Sequence, residues 1–383
     1  MPEEPVSFST PDFHVLTINA GSSSLKAKVY RCDGENLSLD WRTSLNGIGS
    51  AELPDHRTAL TSICDRLAAE NRIGRIEAVG HRIVHGGEVF TRPTRITTEI
   101  SAALAELIPL APHHQPHNLA AIEIVANSLP SVPQVACFDT AFHATLPPEA
   151  RELGLPAAYT DRGIRRYGFH GLSYQSLIDG FQRTTDEPPP SRLIALHLGN
   201  GASLCAIHDL KSVATSMGFS TLDGIPMGTR SGALDPGALI HLMKDEGLSP
   251  GELEDLLYNR CGLLGLSGES SDVKTLLASQ SAGAQRALFY FTYCIAREVG
   301  ALAAALGGVD GLAFTGGIGE NAASVRAMIL KQCAWLGLNL DDDANRSHAT
   351  KISAEGSVSA WLIPAAEEEV IARQTLATLT QNT

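Results

Sequence analysis

No lysine follows a glycine anywhere in the 383 residues, so the chain has no GxxxxGK[ST] phosphate-binding loop. No GxGxxG stands behind a strand-like run, which leaves a dinucleotide fold without support. Neither a DFG nor an HRD element occurs, which excludes a protein-kinase fold. Basic charge is scarce: Lys+Arg number 29 against 42 Asp+Glu, for a net charge of −13. That balance argues against a nucleic-acid or anionic-membrane binder. An anionic substrate must then be met by a local cluster of cations and backbone N–H groups. The seven cysteines (Cys32, Cys64, Cys137, Cys205, Cys261, Cys294 and Cys333) include no CxxC pair. Their odd number and wide spacing indicate buried thiols in a reducing compartment, not a disulfide framework or thiolate zinc site. No apolar run is long and uncharged enough to read as a membrane span. The strongest, Tyr290–Val309, is broken by Arg297 and Glu298 and reads as a buried helix. The start, MPEEPVSFSTPDF, is acidic and proline-rich, unlike a signal peptide, so a cytoplasmic location is expected.

What is present is a chain with 44% apolar and 19% charged residues, long enough for two domains. Residues 1–12 read as a tail. VLTINAGSSSLKAKVY then reads as a strand, a Gly/Ser turn and a second strand. A composition break, TTDEPPPSR (184–192), is followed by LIALHLGNGASLCAIHD, which repeats that opening design. The repeat points to an internal duplication of an α/β unit whose hairpin turn can meet a phosphate chain. Helices are expected at 56–72, 236–247, 250–260 and 281–306. Strands and helices alternate throughout, so the class is α/β.

Three glycine-rich turns follow apolar strands: Asn19–Lys26 (with Ser22 and Ser24), His197–Gly201, and Gly316–Asn321 at a helix start. Glycine lets the backbone approach an anion, and successive N–H groups then point at it. Turns of this kind in both halves suggest a nucleotide site. Arg82 in GHRIVHGG and Arg230 in PMGTRSG stand beside glycines. Asp139 ends a strand in CFDTAFH, the usual place for a functional residue in an α/β sheet. Glu367, Glu368 and Glu369 open a helix after Pro364. They suit the helix dipole, and at least one could also serve a hydrated Mg²⁺. His81 and His85, four apart on a strand, are too widely spaced for one metal.

The ordered set NAGSSSLK, GHRIVHGG, FDTAFH, RRYGFHG, HLGNGAS, MGTRSGALDPG and FTGGIGEN, with the acidic pair after IPAA, resembles the acetate kinase family from about Phe13 onward. The resemblance implies two duplicated actin-like (ribonuclease H-like) α/β domains of the acetate and sugar kinase/Hsp70/actin superfamily, with an active-site cleft between them. One domain would be 13–150 completed by 365–383, and the other 151–364. The implied reaction is reversible phosphoryl transfer from ATP to acetate, giving ADP and acetyl phosphate, with Mg²⁺ (Mn²⁺ as a substitute), in a homodimer. Position by position, the resemblance places Asn19 and Glu367 at the metal. It places Lys26, Ser22 and Ser24 near the ATP phosphates, and Arg82, Val84 and His113 at the acyl group. His113 stands where the family usually has Leu. Asp139, His170, Arg230 and Arg82 would carry the chemistry. The nucleotide segments would be His197, Leu198, Gly199, Asn200 and Gly201; Asp272, Val273 and Lys274; and Gly317, Ile318, Gly319, Glu320 and Asn321. Acetate is ionised at neutral pH and needs no general base, so Asp139 reads as an orienter of an Arg or of Mg²⁺. Two alternatives stand beside this reading. One is a propionate- or butyrate-preferring kinase; the other is a non-catalytic actin-like nucleotide-binding scaffold.

Overall fold

A computed structural model of the chain describes residues 13–21, 24–34 and 36–380. The tail 1–12 and Ser22 lie outside the described residues. The chain divides into two compact units. One runs to Phe142 and resumes at Ala366; the other is His143–Ala365.

The first unit opens with β1 (Phe13–Ala20) and β2 (Ser24–Asp33), antiparallel, with Asn19 opposite Lys26. β3 (Asn36–Asn46) extends this meander. Leu37, Leu39, Trp41, Thr43 and Leu45 alternate along it with exposed polar residues, and Trp41 is buried against the core, a period-two signal of a strand that the sequence expectations omit. α1 (His56–Ala69) starts at Asp55, whose carboxylate accepts from the Thr58 N–H. β4 (Ile76–Ile83) runs parallel to β1, and β6 (Gln134–Phe138) runs parallel to β4, with the short β5 (Thr94–Arg95) antiparallel at the edge. The helices α2 (Thr98–Glu106) and α3 (Gln115–Ser128) lie between them in sequence. Sheet order is β3-β2-β1-β4-β6-β5.

One sheet face buries Leu16, Ile18, Leu25 and Val29 against Leu60, Ile63 and Leu67 of α1. The other face carries the C-terminal helix Glu367–Thr380, which packs on β1, β4 and β6. Gly80 permits this packing. A Cβ there would strike Thr375 Oγ1 and stand 2.6 Å from Ile371 Cγ2. The close approach brings the acidic start of that helix to the end of β1.

The second unit contains α4 (Gly171–Thr184) and then β7 (Arg192–Leu198), β8 (Ala202–His208) and β9 (Lys211–Thr215), an antiparallel meander. α5 (Ala282–Ala305) precedes β10 (Gly311–Thr315), which is parallel to β7. The short α6 (Gly316–Asn321), α7 (Ala323–Gln332) and β11 (Ser359–Leu362), parallel to β10, follow. The order β11-β10-β7-β8-β9 repeats that of the first unit. In both, the first strand of a meander pairs in parallel with a strand that pairs in parallel with another. The composition break at 184–192 lies inside this unit, between α4 and β7. The stretch expected as one helix over 250–260 is an α-helix, Pro250–Asp255, followed by a π-helical turn, Leu256–Arg260. Among the described residues, only α5 is long and apolar enough to cross a membrane. It buries Phe291, Ile295, Val299 and Leu302 within its own unit.

Candidate active site

In the first unit, the parallel strands β1 and β4 carry Asn19 and Arg82 near their C-terminal ends, and Asp139 directly follows β6. Asn19, Arg82 and the C-terminal helix share one face of the sheet. Arg82 donates from Nε to both oxygens of Asp139, at 3.1 and 3.0 Å, and from Nη2 to Oδ2 at 2.6 Å. Its Nη1 donates to Asn19 Oδ1 at 3.1 Å. Asn19 Nδ2 donates in turn to Glu367 Oε2 and Glu368 Oε1, each at 2.9 Å. Lys28 Nζ closes the chain on Glu368 Oε2 at 2.8 Å. One amide thus joins a guanidinium to two carboxylates. Asp139 and Glu368 are buried, and the Arg82 side chain is only 15% exposed. Burial opposes the Arg82 charge, but Asp139, Glu367 and Glu368 hold its pKa above the ordinary arginine value. Burial pushes the Asp139 carboxyl up, with Arg82 pulling against it.

Lys26 is exposed on the face that carries Asn19 and Lys28, and Ser24 is half-buried at the start of β2. Val84 is buried, and its N–H donates to Asn118 Oδ1 at 3.0 Å. His113 is exposed on the turn before α3. His117, one turn on, stacks on His56 with ring centroids 4.2 Å apart. His56 Nε2 in turn meets the Gly21 carbonyl oxygen at 2.6 Å, which ties α1 to the first glycine turn.

In the second unit, His170 takes a left-handed backbone (φ 59°) just before α4, a conformation uncommon outside glycine. Its Nδ1 lies 2.8 Å from Ser203 Oγ, and its ring stacks on His197 with centroids 4.3 Å apart. His197 Nδ1 lies 2.7 Å from Ser173 Oγ. A Cβ on Gly201 would stand 3.3 Å from His170 Nε2 and 3.8 Å from Arg230 Nη1. The turn Gly199–Gly201 therefore lies against both His170 and Arg230, with little room for a side chain at Gly201. Arg230 Nη1 also donates to the Thr221 carbonyl at 3.2 Å, and the guanidinium lies over the Tyr258 ring.

The third glycine turn abuts the second. Gly316 (φ 79°) would place a Cβ 2.7 Å from the Leu198 carbonyl oxygen. Glu320 Oε1 accepts from the N–H groups of Gly316 (3.1 Å) and Ala365 (2.9 Å), and Asn321 Nδ2 donates to the Gly317 carbonyl at 2.9 Å. Ile318 is half-buried and Gly319 buried. From below, the fully buried Arg326 donates through Nη1 to the carbonyls of Gly319 (2.7 Å) and Glu320 (3.0 Å). Asn200 Oδ1 sits beside Gly228 of the Arg230 loop. Asp272 spends its carboxylate capping the helix Val273–Ala278 at the Thr275 N–H. Val273 is buried, so of that segment Lys274 is the residue with a side chain both exposed and uncommitted to the cap.

Lys28, Ser203, Tyr174 and Arg326 complete these networks but were not marked as site residues by motif, and Glu368 was marked only as one of three acids that could serve a metal. For Lys28 a signal was available: it lies two residues beyond Lys26 on a strand, and so on the same face.

The acetokinase family model matches residues 14–373. An acetate kinase of Rhodopseudomonas palustris is 46% identical over 386 residues, covering 94% of this chain and 96% of that protein. The crystal structure of Porphyromonas gingivalis acetate kinase superposes with a TM-score of 0.85 at 34% identity, covering 96% of this chain and all of that one. A propionate kinase from Francisella tularensis superposes with a TM-score of 0.84 at 31% identity, covering 95% and 99%.

Proposed function

Since the chain belongs to the acetokinase family, and is therefore a phosphotransferase that joins the ATP γ-phosphoryl group to acetate with a divalent metal, we propose that its two residue clusters divide that reaction. The observation that carries the proposal is the chain of hydrogen bonds from Asp139 through Arg82 and Asn19 to Glu367. A carboxylate attacking ATP brings two anions together, so catalysis is positioning plus electrostatics. Arg82 receives the acetate carboxylate. Asp139, whose oxygens are both taken by Arg82, orients that guanidinium and does not act as a base. Val84 and His113 flank the acyl group. His170 and Arg230 meet the equatorial oxygens as charge spreads over them in the transition state. Lys26 and Ser24, with His197, Leu198, Gly199, Asn200 and Gly201, attend the phosphates. Gly317, Ile318, Gly319, Glu320 and Asn321, with Asp272, Val273 and Lys274, hold the rest of the nucleotide.

The donor set suits Mg²⁺. Among the described residues no group of three His, Cys, Asp or Glu could enclose a metal. The oxygens of Asn19 and Glu367 fit an ion that keeps several waters and takes one or two protein oxygens. Glu367 and Asn19 would hold it, and Lys28 engages the neighbouring Glu368. When bound, the ion neutralises charge on the β- and γ-phosphate oxygens. Glu367→Gln is expected to raise the Mg²⁺ concentration needed for half-maximal rate by about tenfold or more, with little change in acetate KM. Glu369→Gln is expected to do neither, because Glu369 bonds Arg373 within its own helix. Equal, small effects in both variants would leave Glu367 only a helix-dipole role.

Trapping acyl phosphate with hydroxylamine, using acetate, propionate and butyrate in turn, tests the reaction and its acyl preference. Acetate is expected to give the most hydroxamate. A larger yield from propionate would favour the propionate reading, and nucleotide binding with no hydroxamate from any acid would favour the scaffold. We also place the enzyme in the cytoplasm as a homodimer. The exposed aromatic stripe Phe289, Tyr290 and Tyr293 on α5 supplies a face for a second copy. Sedimentation at the mass of one chain would overturn the dimer.

A further inference from the structure

Ser203 stands on β8 opposite His197 and is fully buried. Its Oγ meets two groups: His170 Nδ1 at 2.8 Å and the Tyr174 phenol oxygen at 2.5 Å. Tyr174 is fully buried one helical turn after His170, where its ring meets His143 edge-on with centroids 5.7 Å apart. A serine hydroxyl has one proton to give and two lone pairs, and no third partner of this Oγ stands among the described residues. If both neighbours donated to it, its own proton would be buried unused; two assignments leave every group satisfied. Either the phenol donates to Ser203 and Ser203 donates to His170 Nδ1, or His170 Nδ1–H donates to Ser203 and Ser203 donates to the phenol. A phenol (pKa about 10) is a much stronger acid than an alkyl alcohol, and so the better donor of the two oxygens. That difference in acidity favours the chain that begins at Tyr174.

We propose that Tyr174 and Ser203 are positioning residues that fix the neutral tautomer of His170, keeping Nδ1 as acceptor and placing the proton on Nε2. Nε2 is the ring atom beside Gly201 and on the side of Arg230 Nη1. In this tautomer His170 presents an N–H, not a lone pair, where Arg230 presents its guanidinium. Both groups are then donors, as an anionic equatorial oxygen requires. The opposite tautomer would aim a lone pair at that oxygen. The left-handed backbone of His170 and its stack on His197 hold the ring plane, and the Tyr174–Ser203 pair decides which nitrogen carries hydrogen. The consequence for catalysis rests on the reading that His170 meets the transferred phosphoryl group. The tautomer itself does not.

The test is ¹⁵N NMR of the full chain labelled at histidine, with His170 assigned by its loss in His170→Gln, alongside steady-state kinetics. In the wild type, His170 Nδ1 is expected as an unprotonated, hydrogen-bonded nitrogen and Nε2 as a protonated one. Ser203→Ala is expected to remove the hydrogen-bond signature at Nδ1 and to lower kcat about tenfold, with ATP and acetate KM within about twofold. Tyr174→Phe keeps the ring that packs on His143 and removes only the hydroxyl. It is expected to shift the same Nδ1 signal and lower kcat several-fold, which separates the hydrogen-bond chain from a folding defect. A protonated Nδ1 in the wild type, or an Nδ1 signal unmoved in both variants, would overturn the assignment. If the signals move as expected while His170→Gln keeps wild-type kcat, the tautomer assignment stands and the reading of His170 at the phosphoryl group falls.

Discussion

Arg82→Ala is expected to lower kcat/KM for acetate by about 10²- to 10³-fold, the loss typical of removing one preorganised donor from a developing anion. The structure supplies the reason for a loss at the upper end. Arg82 is fixed by three contacts to Asp139 and one to Asn19, so its guanidinium is not free to be replaced by another side chain or by water in the same orientation. The variant also strands a buried carboxylate. Breaking such a pair from one side costs about 3–5 kcal/mol of stability, so a fall in activity alone would not separate catalysis from unfolding. Two further variants make that separation. Arg82→Lys keeps the positive charge but loses the fork that grips Asp139 and Asn19 together, and its kcat/KM is expected to stay well below wild type. The double variant Arg82→Met/Asp139→Leu removes both charges, and replacing a buried pair by apolar groups is often neutral or stabilising. Its thermal midpoint is expected to recover toward wild type while its activity does not. Thermal melts and acetate kinetics on the three variants read this directly. Recovery of activity together with stability would show that Arg82 serves the fold and not the substrate.

Local order was legible in the sequence where short apolar runs, buried on both faces, end in glycine turns. The two hairpins, β1–β2 and β7–β8, announce themselves by apolar strands around glycine turns, and their likeness points to the duplicated topology found in the two sheets. β3 was legible too, although no strand was expected there: Leu37, Leu39, Trp41, Thr43 and Leu45 alternate with polar residues, and Trp41 and Leu45 of that set meet the core. Asn19, Arg82, Asp139 and Glu367 could each be picked out by motif, but their bonding could not. It depends on a helix from the chain's end docking on β4, and the only local trace of that docking is the lack of a side chain at Gly80. Lys28 looks like an ordinary charge, and Glu368 like one of three equivalent acids, until that helix is in place. Ser203 and Tyr174 look like core polar residues until His170 stands between β8 and α4. Asp272 shows the converse. Its motif suggests a ligand contact, while the helix it begins already uses its carboxylate as a cap.

Gly262→Ala is expected to cost about 10²-fold in kcat/KM without touching a charged group. Gly262 opens the helix Gly262–Ser267 at φ 60°, a backbone angle that disfavours any side chain. The chain around it grips the Arg230 loop by its backbone. The N–H groups of Leu263, Leu264 and Cys261 donate to the carbonyls of Met227, Gly228 and Thr229, each at 2.9 Å. A Cβ on Gly262 would collide with the Met227 carbonyl oxygen and stand 2.7 Å from the Arg230 carbonyl oxygen and 3.1 Å from its nitrogen. All three are backbone atoms, so no side-chain rotation relieves the overlap and the loop itself must move. The overlap is expected to lower stability by about 1–3 kcal/mol. A displacement near 1 Å in a positioned group can cost about 10² in rate. If the activity loss comes from misplacing Arg230, it should not add to deletion of that side chain. Arg230→Ala alone is expected to lower kcat/KM about 10²-fold, and Gly262→Ala/Arg230→Ala to be no worse than the poorer single variant within about threefold. Multiplicative losses, near 10⁴-fold in the double variant, would mean that Gly262 acts through some other part of the site and that the placement of Arg230 is not what the helix start secures.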